Sequence, residues 1–137
     1  MPHVTLDGVV DSRLVAERLP RSVYRWGRAV LKTEDCWLRG DAGAVLAEGV
    51  VVEHSRPLHP VAIIAARSDT TTVRLWPTVP VERTHPVQRW LAMLAVELIG
   101  LGLGRLRATN LAVEVVADLP SRATPGPALT LMEPGSR

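Results

Sequence analysis

Apolar positions recur along this chain with two different periods, and the longest run, residues 84–104 (THPVQRWLAMLAVELIGLGLG), has the helical one. At about 100° per residue, Val87, Leu91, Leu94, Leu98 and Leu101 share one face with Trp90 on its flank, while Arg89 and Glu97 point the other way. Thr84 or His85 suits the N-cap, Pro86 fits an early position whose N–H is unbonded anyway, and Gly100, Gly102 and Gly104 mark the stop. A membrane span needs roughly 20 predominantly apolar residues. Here two charged residues lie inside a shorter run, so the pattern predicts a core helix laid on a sheet.

Upstream, Val4-Thr5-Leu6 alternates and leads into the turn pair Asp7-Gly8. Asp11 is placed to cap a short helix over 12–19, which Pro20 ends. Ser22 then caps a second predicted helix over 23–33, because Val23, Trp26, Val30 and Leu31 fall at i, i+3, i+7 and i+8. From Cys36 the pattern turns strand-like. Residues 36–39 and 44–53, joined by the turn Gly40-Asp41-Ala42-Gly43, predict a hairpin. Its run Val50-Val51-Val52 has the continuous β-branched character of a strand covered on both faces. Residues 54–60 read as a loop, 61–66 and 71–76 as strands closed off by Pro77 and Pro80, and 106–117 as a last strand through Leu111, Val113 and Val115. The expected fold is an α+β two-layer domain over residues 1–119: a mainly antiparallel sheet of about five strands, one long apolar helix on it, and two short N-terminal helices. Residues 120–137 read as a Pro/Gly-rich tail, in which 128–132 is a possible edge strand.

Composition changes this picture little. At 137 residues with 47% hydrophobic content, the chain can bury a core and is not of the disordered class. Phe is absent, so four tryptophans, Trp26, Trp37, Trp76 and Trp90, are the large anchors. The net charge is +2, and Lys32 is the only lysine among sixteen basic residues. One cysteine excludes an internal disulfide, and the N-terminus lacks the basic start and apolar segment of a signal peptide, so the expectation is a cytoplasmic protein.

Candidate chemistry is sparse. On the predicted second helix Arg21, Arg25, Arg28 and Lys32 would form a cationic stripe able to track phosphates, with Tyr24 beside it to stack on a base. The same stripe is more often the pattern of a solvated helix face. His54 and His59 match no metal-binding spacing, so no metal is expected. The glycines at 100–104 close a helix, whereas those of a phosphate loop open one. Cys36, His54, His59 and Glu97 are the only side chains that could serve a pocket between helix and sheet, and no catalytic motif links them.

Three readings follow. The first is a non-enzymatic protein that associates with itself as a homodimer, burying a helix flank or a strand edge. The second is a nucleic-acid binder using Arg21, Tyr24, Arg25, Arg28 and Lys32. The third is a small-molecule pocket or enzyme between helix and sheet. No cofactor and no membrane partner is expected.

Overall fold

Thr84 opens the long helix as its sequence predicts: its Oγ1 accepts a hydrogen bond from the Val87 N–H at 3.2 Å, and Pro86 occupies the first turn. The helix closes at Leu101, with Gly102 in the left-handed region at φ +113°. In this computed structural model, which describes residues 1–119, the elements run β1 (His3–Asp7), α1 (Ser12–Arg18), β2 (Val23–Trp26), β3 (Ala29–Leu38), β4 (Ala44–Glu53), β5 (Arg56–Leu58), β6 (Val61–Arg67), β7 (Thr70–Leu75), α2 (His85–Gly100), β8 (Leu106–Thr109) and α3 (Val113–Val116). The predicted tail, with its possible edge strand at 128–132, lies outside the described residues.

The eight strands make one antiparallel sheet in the order β2-β3-β4-β6-β7-β1-β8, with β5 added to the end of β4. It curls into a half-barrel around α2. This overturns the expected five-strand sheet carrying one long helix in two layers. The sheet dominates, and of the three helices only α2, with 16 residues, is longer than seven. Its inner face supplies Val4, Leu6, Ala29, Leu31, Val45, Ala47, Val51, Ala62, Ile64, Val73 and Leu75 to the core. Within 86–99 every residue of α2 except Gln88 and Glu97 is buried, so the helix is enclosed rather than laid on a surface. No helix among the described residues is long and apolar enough to cross a membrane.

Two further expectations fail for local reasons. Residues 23–33 are not a helix but the hairpin β2–β3. Gly27, at φ +59°, and Arg28 form its two-residue turn, and a Gly-X pair with a positive first φ suits the right-handed twist of a hairpin. Once that turn is allowed for, Tyr24, Trp26, Ala29, Leu31 and Thr33 alternate inward, while Val23, Arg25, Val30 and Lys32 face out. The predicted strand at 106–117 stops at Thr109. Asn110 ends it, its Oδ1 accepting from the His3 N–H (2.8 Å) and its Nδ2 donating to the Met1 carbonyl (2.9 Å). Leu111 and Val115 then enter the core at helical spacing, and Val113 is 76% exposed.

One close approach fixes how α2 sits in the sheet. The Trp90 indole lies flat on Gly49 of β4, where an added Cβ would fall 2.5 Å from Cε2. Its Nε1 donates to Thr33 Oγ1 at 3.1 Å. Ring and hydroxyl are both buried, so each satisfies the other.

Candidate ligand cavity

On the side of α2 away from Trp90 the packing opens. Ala92 and Ala95 are buried but short, and with Val96 and Ile99 they leave a cavity of about 360 Å³ against Val4 and Leu6 of β1 and Leu106 of β8. Val116, Ala117 and Leu119 form its third wall, and one side is open to solvent. Sheet geometry contributes: the β1–β8 ladder shifts register between Thr5 and Leu6, next to the cavity. Among the described residues the one polar side chain in the lining is Thr109, whose Oγ1 donates to the His3 carbonyl at 2.8 Å and accepts from the Leu111 N–H at 3.1 Å, and none of them is charged.

The third wall is held by two neighbours on α2. Gln88 Oε1 accepts from the Ala112 N–H at 2.9 Å. Arg89, predicted on the solvent side, is instead 9% exposed. Its Nη1 donates to the Val115 carbonyl and to Asp118 Oδ1, each at 2.7 Å, and Nη2 donates to Asp118 Oδ2 at 3.3 Å. Its guanidinium also lies 5.6 Å from the centre of the Trp26 ring, within the range of a cation–π contact. Arg89 thus ties β2, α2 and α3 together. In return, its hydrogen bonds hold the Asp118 carboxyl below the usual carboxylate range.

None of the side chains expected to serve such a pocket lines it. Cys36, half-buried on β3, has its thiol pushed up by burial, more than the Arg21 charge lowers it, and so is a protonated, weak nucleophile at neutral pH. His54 is exposed in the β4–β5 turn at φ +56°, 3.9 Å from the Glu53 carboxylate. It stands seven residues along the chain from Ala47, the partner of Cys36, which is roughly 20 Å of strand. His59 is exposed. Among the described residues there is no group of three or more metal-ligating side chains. Glu97 is half-buried on the opposite flank of α2, where its Oε2 accepts from Ser22 Oγ (2.5 Å) and Tyr24 OH (2.7 Å).

The cationic stripe does not assemble either, because its helix is a hairpin. Arg25 and Lys32 share the outer face on adjacent strands, and Arg28 is in the turn. Arg21 donates to the Leu19 carbonyl, Lys32 pairs with Glu34 at 2.9 Å, and Tyr24 turns inward to Glu97. Ala92 and Ala95 had escaped the sequence reading, since alanine in an apolar helix gives no signal by itself. Two small residues three apart, between Leu91, Leu94 and Leu98, were the available clue. Searches against protein-family models, curated proteins and solved structures find no match to this chain.

Proposed function

We propose that this protein binds one small, neutral, apolar molecule in the cavity between α2, β1, β8 and α3, as a carrier or sensor and not as an enzyme. The observation that carries this reading is a ligand-sized space of about 360 Å³ lined by ten apolar residues and one threonine. An apolar cavity of about 150 Å³ holds benzene, so volume scaling admits a ligand on the order of 10–14 carbon atoms. Absence of a charge among the described lining residues selects against carboxylates and amines, because burying an unpaired charge is far more costly than burying a methylene. Among the described residues the lining holds no acid or base, and the Thr109 hydroxyl is already bonded to the backbone, which supports binding without turnover.

At about 0.8 kcal/mol per buried methylene, less at least about 4 kcal/mol for association, a twelve-carbon chain reaches a Kd on the order of 100 μM. Calorimetry on the full chain with 1-decanol, naphthalene and decanoate tests this. The expected result is one-to-one binding of the two neutral molecules with a negative heat-capacity change, and weaker binding of decanoate. Ala92→Leu and Ala95→Leu fill the space from the helix, and Leu106→Trp fills it from the half-exposed rim. Each should abolish binding while the far-UV circular dichroism is kept. Absence of binding up to the solubility of the ligands, or binding unaltered by all three substitutions, refutes the proposal.

A further inference from the structure

The outer face of the sheet is divided in composition. On β7 and β1 the outward residues are polar: Thr70, Thr72, Arg74, His3, Thr5 and Asp7. On β3, β4 and β6 most of them are apolar, with Lys32 and Glu48 set among them. The registers place Trp37, Leu46 and Ile63 in one cross-strand row, and Val30 and Val52 in another. Val23 and Trp37 are 59% and 46% exposed. Both α1 and α2 pack on the inner side, so no described element covers this half. It explains why Val50-Val51-Val52 reads as a strand covered on both faces: Val51 is buried inside, while Val50 and Val52 stand half-exposed outside. Val30, Leu46, Val50 and Val52 are half-buried and Ile63 is buried, at 3% exposure, so the accessible apolar surface centres on Trp37, Val23 and the valines between them, a patch that fits an association surface.

We infer that the occupant of this face is a second copy of the same chain, packed sheet to sheet about a two-fold axis. Charge on the patch argues for self-association. Lys32 and Glu48 stand on adjacent strands, diagonally across the patch centre: Lys32 is opposite Val50, two residues along β4 from Glu48. No ion pair joins them within the chain. Glu48 has no ion-pair partner among the described residues, and Lys32 has only Glu34, through a pair of half-exposed side chains. A two-fold axis between them sets Lys32 of each copy opposite Glu48 of the other, as an isologous interface requires. Residues 120–137 are the competing occupant. Leu119, the last described residue, lies at the cavity on the inner side, however, and β8, β1 and β7 separate it from the patch. The area sets the strength. Six residues along β4 and three strand spacings span roughly 20 by 15 Å, which with its margins is on the order of 400 Å². A standard interface buries about 800 Å² per partner, so the dimer is a weak, transient one.

Sedimentation velocity on the full chain from about 1 to 300 μM tests this. Wild type should pass from monomer to dimer over that range. Trp37→Ser, Glu48→Lys and Lys32→Glu should each weaken the dimer at least tenfold with unchanged circular dichroism, and the Lys32→Glu/Glu48→Lys double variant should recover it. A wild-type monomer throughout the range overturns the inference, as does a dimer indifferent to these substitutions or a double variant no better than either single one. Cavity binding is read separately, so its failure and the failure of this interface are distinguishable.

Discussion

Replacing Gly49 by alanine tests the central packing relation of the fold, the seat of α2 in the sheet. Gly49 lies in β4 with φ outside the left-handed region, so alanine carries no backbone strain there, and the effect is steric. The new Cβ would sit 2.5 Å from Cε2, 2.6 Å from Cζ2 and 3.0 Å from Cδ2 of the Trp90 ring. Trp90 cannot yield freely, being 1% exposed and tied through Nε1 to Thr33. Overpacking of this sort costs about 1–3 kcal/mol. Weakening the indole bond adds about 1 kcal/mol, and the loss of glycine's freedom in the unfolded chain returns about 0.5–1 kcal/mol. The net destabilisation is about 1–3.5 kcal/mol. At about 2.1 cal/mol/K per residue this lowers Tm by roughly 3–12 °C. Thermal denaturation followed by circular dichroism measures it, and a cycle with Trp90→Phe locates it, because the smaller ring makes room for the methyl group. Gly49→Ala with no loss of Tm, or with the same loss in the Trp90→Phe background, would falsify the proposed seat.

Three other outcomes are expected. Arg89→Met leaves the Val115 carbonyl unpaired and removes the contact with Trp26, a loss of about 2 kcal/mol that chemical denaturation should report, with faster amide exchange in α3. Lowering the pH should loosen the same wall. Since the folded pKa of Asp118 lies below its ordinary value of 3.8, its contribution is present above that value and is lost as pH falls through the depressed one. Exchange in α3 should therefore rise only below about pH 4, and Asp118→Asn should remove that rise. Gly27→Val should cost about 1 kcal/mol or more through the positive φ of the β2–β3 turn, a loss that a helical reading of 23–33 does not predict.

Elements whose signals are local were legible in the sequence. Asp11 caps α1, accepting from the Arg13 and Leu14 N–H groups, Thr84 caps α2, and the strands at 44–53, 61–67 and 70–75 lie where alternation and prolines put them. The hairpin at 23–38 was misread because Val23, Trp26, Val30 and Leu31 satisfy a helical period by coincidence. A two-residue turn in the middle also breaks the count of alternation. Gly27-Arg28 was the deciding pair. At the other end, Asn110 diverts a strand-like run through hydrogen bonds to residues more than a hundred positions away, which no window can reveal. Arg89 was placed in solvent by the same logic, since its partners Trp26 and Asp118 come from β2 and from beyond α3. The cavity is the extreme case: its space is what Ala92 and Ala95 leave unfilled against strands distant in sequence.

A closed, empty space of that size would be a large packing fault. Residual cavities cost about 24 cal/mol per Å³, so 360 Å³ kept empty and closed would cost about 9 kcal/mol, comparable to the whole stability of a small domain. The same helix packs Trp90 onto Gly49 with no room to spare, so the sequence fills the interior tightly where it is to be filled. An opening to solvent lowers the penalty, and an apolar occupant converts it into stabilisation. At a concentration equal to Kd, a ligand bound only to the folded state contributes about 0.4 kcal/mol, which for 137 residues raises Tm by about 1 °C. Naphthalene or 1-decanol should therefore protect the wild type against heat. Ala92→Leu and Ala95→Leu, by filling the space covalently, should start from a higher Tm and gain nothing from either molecule. If both variants melt below the wild type and still respond to the ligand, the space is not where the molecule binds.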